Sequence, residues 1–124
     1  MPKSRPKHLN LLQIRLPMPA FVSILHRVSG ALLFLLIPLI LYVLGGSLQS
    51  ADSFVQMKDC LSYPVTKLAM LVVLWSFLHH FFAGIRHLVM DQHIGLELEA
   101  ARASSKVVMV ISIGLTVIIG VQLW

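Results

Sequence analysis

The chain has 124 residues, 57% hydrophobic and only 12% charged, with a formal charge of +5 and a mean hydropathy of +0.85. This balance excludes a soluble globule and leaves room for one small integral membrane domain, residues 1–124. Cys60 is the only cysteine, which excludes an internal disulfide, a thiolate-held iron–sulfur cluster and a structural zinc.

Residues 1–20 are basic and rich in proline, with Pro2, Pro6, Pro17 and Pro19. They read as an irregular cytoplasmic segment at the membrane surface, with Leu9, Leu11, Leu12, Ile14 and Leu16 dipping into the interface. There is no compact apolar core followed by a small-residue cleavage site, so insertion is expected to rely on the chain's own helices. The first span is expected over about residues 21–45, because Val28 to Leu48 carries no charge and is long enough for about 30 Å of hydrocarbon. Pro38 lies mid-span, and Gly45-Gly46-Ser47 marks the end.

Gln49 to Tyr63, with Asp52, Lys58 and Asp59, is expected to be a short polar connection. The second span is expected over about 64–89, opened by Pro64 in its first turn. Trp75 sits mid-span rather than in an interfacial belt, which suggests packing against a partner or cofactor. Asp91 to Ser105 is expected as a second, water-exposed connection, and 107–124 as a third, uncharged span. Ser112, Thr116 and Gly120 recur at four-residue spacing, a stripe that lets helices approach closely. The fold is thus all-α and integral to the membrane, with three transmembrane helices. Basic residues fix the orientation. Lys3, Arg5, Lys7, Arg15, Arg27, Arg86, Arg102 and Lys106 fall on one side, and only Lys58 and Lys67 on the other. The N-terminus is therefore inside and the C-terminus outside. A reporter fused after Trp124 should be active outside the cytoplasm and one near Gly95 inside; the opposite result at either site would overturn the three-span topology.

Chemistry concentrates at the inner ends of the first two spans. On the second, helical spacing aligns Ser76, His80, Gly84, His87 and Asp91 on one face. An intramembrane imidazole is read first as a functional group. One beside a glycine suits a flat iron macrocycle, since the glycine removes the side chain that would block it. His79 points about 100° away from His80 and cannot serve the same iron from the opposite side. His80 shares its face with Gly84 and is the better candidate. The plain alternative is a histidine that hydrogen-bonds a neighbouring helix. A low-spin b-type haem takes two axial ligands, so the second should come from another polypeptide. On the first span, Ser23, His26, Arg27 and Gly30 share a face. A hydroxyl and a guanidinium in an apolar slot can donate to the two carbonyls of a quinone. Arg27 and His26 could equally meet haem propionates, with Arg86 and His87 competing for that role from the facing helix.

These segments are recognisable. Ser23-Ile24-Leu25-His26-Arg27-Val28-Ser29-Gly30 resembles the first-helix signature of the cytochrome b subunits of succinate dehydrogenase. His80-Phe81-Phe82-Ala83-Gly84-Ile85-Arg86-His87-Leu88-Val89-Met90-Asp91 resembles their second-helix signature, and the approach from Arg5 to Arg15 is similar too. His79 is an extra histidine relative to that pattern. The resemblance implies a membrane anchor in the bacterial inner membrane. It implies a flavoprotein subunit, an iron–sulfur subunit and a second membrane-anchor subunit as partners, and no nucleic acid. It implies a haem b shared with that second anchor in a helical bundle, and ubiquinone as electron acceptor. Carried over by position, His80 is the axial haem ligand, Ser23 and Arg27 are ubiquinone-site residues, and His26 and His87 lie where propionate contacts are expected. Such a subunit belongs to a succinate:ubiquinone oxidoreductase without itself oxidising succinate. The alternatives are the anchor of a quinol:fumarate reductase, or a haem-free structural or assembly membrane protein.

Overall fold

The computed structural model describes residues 15–124, so the expected surface segment over 1–14 lies outside the described residues. Four helices follow in order: α1 Met18–Ser47, α2 Ala51–Ser62, α3 Pro64–Asp91 and α4 Leu98–Leu123. Helices α1, α3 and α4 are long and apolar enough to cross a membrane, as expected. α1 starts with Pro19 in its first turn, where a missing N–H costs nothing, and it continues through Pro38.

Two expected connections differ. The segment after α1 is itself a helix, α2. Ser50 and Ser53 form a reciprocal capping box: Ser53 N–H donates to Ser50 Oγ at 3.1 Å, and Ser50 N–H to Ser53 Oγ at 2.9 Å. Two otherwise orphaned donors are satisfied, which nucleates a short polar helix. It stops at Tyr63, held extended (φ −63°, ψ 142°) by the following Pro64. The other difference is α4, which begins at Leu98 rather than at 107. Glu99, Arg102 and Lys106 make its first turns look like a loop, yet Ala100, Ala101 and Ala103 are strong helix formers and Glu99 complements the helix dipole. Between α3 and α4 the chain reverses through His93 (φ 60°) and Gly95 (φ 72°), both in the left-handed region.

Helix α3 is central, packing on both α1 and α4. The interior is narrow: Val22, Ala83, Ala101 and Val108 are its buried apolar residues. The Ser112/Thr116/Gly120 stripe is packing. Thr116 Oγ1 donates to the Ser112 carbonyl at 2.7 Å and Ser112 Oγ to the Met109 carbonyl at 3.1 Å, so the hydroxyls are satisfied within α4. A Cβ at Gly120 would stand 2.7 Å from Leu71 Cδ2, so a larger residue would require the Leu71 side chain to move aside for α3 to pack this closely. Near the C-terminus Lys67 Nζ lies 5.7 Å from the Trp124 ring centroid, tying the start of α3 to the end of α4. Phe34, Leu35 and Val121 are each more than 70% exposed, an outer surface for lipid or protein rather than water.

Candidate functional site

The N-terminal half of α1 and the C-terminal half of α3 bring His26, His80 and His87 together. The His26 and His80 rings stack with centroids 4.1 Å apart and planes 10° from parallel. His87 lies 5.0 Å from His26, tilted by 56°. His80 Nδ1 is 2.9 Å from the His26 main-chain carbonyl, which also accepts from Ser29 Oγ at 3.0 Å. A carbonyl only accepts, so Nδ1 carries the proton and donates. The neutral ring then keeps a bare lone pair on Nε2. That tautomer, locked by a main-chain carbonyl, is the one a metal-binding imidazole needs.

Gly30 makes room for this ring. A Cβ there would stand 2.6 Å from His80 Cε1 and 3.1 Å from Nδ1, closer than packed atoms tolerate. At Gly84, the glycine expected to admit a macrocycle, a Cβ would stand 3.6 Å from His26 Nε2, an ordinary contact. The demanding glycine is therefore on α1. Sequence reading places Gly30 on the Ser23/His26/Arg27 face without giving it a role, and gives none to Ser29. The signal for both is their helical spacing from His26, at i+3 and i+4.

The face expected from Ser76 to Asp91 divides. His80, Gly84 and His87 turn to α1. Ser76 is buried in the inner seam of α3 with His79, Ala83 and Arg86, and Asp91 is exposed at the helix end. His79 is fully buried and stacks on Trp75 at 5.2 Å, so Trp75 packs within the chain. Arg86, expected with His87 as an alternative propionate contact, turns to α4 instead. Its Nε donates to Ser104 Oγ at 3.0 Å and its Nη2 to the Ala101 carbonyl at 3.3 Å, which fastens α3 to α4. A side cleft of about 470 Å³ runs along that α3–α4 face, lined by residues such as Phe82, Ile85, Val107 and Ile111, and contains neither His80 nor Ser23.

Ser23 and Arg27 lie one turn apart on α1, Ser23 half-buried and Arg27 exposed. His26 follows Ser23 by three residues, so the turn carrying the polar pair also carries the carbonyl that holds His80. The first turns of α1 thus link the Ser23 hydroxyl and the Arg27 guanidinium to an imidazole with a free Nε2.

Residues 1–119 match the family model of the succinate dehydrogenase/fumarate reductase transmembrane subunit. The chain is 39% identical to the succinate dehydrogenase cytochrome b556 subunit of Coxiella burnetii (strain RSA 493 / Nine Mile phase I) over 125 residues, covering 100% of both chains. It is 33% identical to the subunit of the same name from Paracoccus denitrificans over 119 residues, 93% of this chain and 88% of that one. With the one from Rickettsia felis (strain ATCC VR-1525 / URRWXCal2) it shares 29% over 117 residues, 94% and 91% of the two chains.

Proposed function

The chain belongs to the family of succinate dehydrogenase/fumarate reductase transmembrane subunits, and on that footing we propose that it binds one side of a haem b and helps to bind ubiquinone. It is a multi-pass membrane protein of a respiratory complex, in the bacterial inner membrane. The observation that carries the haem reading is the His80 Nδ1 contact with the His26 carbonyl at 2.9 Å. It leaves Nε2 free to bind iron and fixes the ring through the hydrogen bond of its other nitrogen, as metal-bound imidazoles require. Bound haem b supplies a one-electron centre. The chain's own residues hold and orient it. His80 would hold the iron, and Gly30 and Gly84 keep side chains away from the imidazole cluster. His26 and His87, with Arg27, stand at the inner end where anionic propionates need donors. A second membrane-anchor subunit would hold the haem from its other side, and a flavoprotein and an iron–sulfur subunit would dock on the inner face and supply electrons from succinate. Ser23 and Arg27 donate to the carbonyls of ubiquinone at that face.

A reduced-minus-oxidised visible spectrum of the purified complex tests the reading. Sharp α and β bands of a low-spin b-type haem are expected, and their absence would sink it. The same spectrum should report on Gly30. Gly30→Ala puts a methyl 2.6 Å from His80 Cε1, so the ring must shift and its hydrogen bond to the His26 carbonyl should be strained. Lower haem content or a broadened spectrum is expected, and a parental spectrum would show that His80 does not need the space.

A further inference from the structure

His79 is fully buried where α3 faces α1 and α4, yet neither ring nitrogen has a hydrogen-bond partner among the described residues. A neutral imidazole carries one donor and one acceptor, and a buried polar group left unpaired is an exception that calls for a reason. Phenylalanine would fill the same space without that cost. Trp75 stacks on the ring with planes 26° apart and sets its orientation. The polar group it faces is the main chain of Val22, short of hydrogen-bond geometry. Inside α1 the Val22 N–H is spent on the turn before it, so the carbonyl alone has spare capacity. Val22 is itself fully buried, and the next residue is Ser23.

We propose that His79 is a positioning residue of the ubiquinone pocket. Its ring N–H closes onto the Val22 carbonyl as the headgroup seats against Ser23, and so holds the entry turn of α1 in register with α3. This rests on the quinone role proposed for Ser23. A small rotation of that turn completes the bond, in the way that hydrogen bonds in binding sites tighten on complex formation. The apolar surroundings keep water from competing for either partner.

The test is ubiquinone kinetics of the assembled complex, normalised to dye-linked succinate oxidation in the same preparation. His79→Phe keeps the ring stack on Trp75 and deletes the nitrogens. Its KM for ubiquinone should rise about tenfold, with kcat within about twofold and the haem spectrum unchanged. His79→Gln restores an N–H donor and should return KM to within about threefold of the parent. If His79→Phe does not assemble, His79→Leu is read by the same criteria, and failure of both would assign His79 to folding and overturn the proposal. A parental KM in the apolar variant overturns it, and so does an equal rise in His79→Phe and His79→Gln. Ser23→Ala run in parallel separates the two readings. Parental quinone kinetics there remove the pocket itself, whereas loss there beside a parental His79→Phe removes only His79.

Discussion

Replacing His80 by alanine should remove the six-coordinate low-spin haem signature from the purified complex, while His79→Ala should leave it in place. The two imidazoles are neighbours in sequence and opposites in setting. His80 is half-buried on the α1 side, its Nδ1 committed to the His26 carbonyl at 2.9 Å and its Nε2 free. His79 is sealed inside the chain against Trp75 and Val22, with no space for a macrocycle beside it. If His80 holds the iron as proposed, its loss would remove a strong-field ligand, so the change should be qualitative rather than graded. Optical and paramagnetic-resonance spectra of both variants decide the matter. A low-spin signal lost in His79→Ala and retained in His80→Ala would reverse the assignment.

The number of spans is legible in the sequence because three uncharged apolar stretches leave a bilayer few alternatives. The helical ends are less so, for reasons that differ. α2 depends on a Ser50–Ser53 capping box, a local device that hydropathy does not register. The first turns of α4 combine charges with alanines, and the charges suggest exposure where helix propensity is the stronger influence. At the site, spacing alone puts His80, Gly84 and His87 on one face. It also puts Ser76 there, although the structure turns Ser76 to the inner seam. A helical wheel says which side chains are near one another, not which neighbour each one meets. The roles of Gly30 and Ser29, and the turning of Arg86 to Ser104, depend on how α1, α3 and α4 pack. No single-helix pattern carries that information.

Ser23→Ala and Arg27→Leu should cripple electron transfer to ubiquinone while dye-linked succinate oxidation by the soluble subunits survives. Both side chains lie on one face of α1, one turn apart, near its N-terminal end. On the topology expected from the basic residues, that end faces the proposed soluble subunits, and an electron acceptor must come close to its donor. The Ser23 hydroxyl can donate to one quinone carbonyl. The Arg27 guanidinium can hold the headgroup in register and stabilise the negative charge that appears after the first electron. Arg27 is exposed in this chain, so its partners in the assembled complex must shield the site from water. Under that shielding, loss of a charged donor costs about 1.5–3 kcal/mol. This corresponds to a fall of roughly ten- to a hundredfold in kcat/KM for ubiquinone. Ser23→Ala, which deletes a neutral donor, should fall toward the smaller end. The haem spectrum separates two roles for the guanidinium: a change in Arg27→Leu but not in Ser23→Ala would place a propionate on Arg27 as well. Kinetics with both acceptors on one preparation distinguish the outcomes. Normal ubiquinone reduction in both variants would remove the assignment, and so would an equal loss with dye and quinone, since that pattern means the soluble subunits are no longer attached.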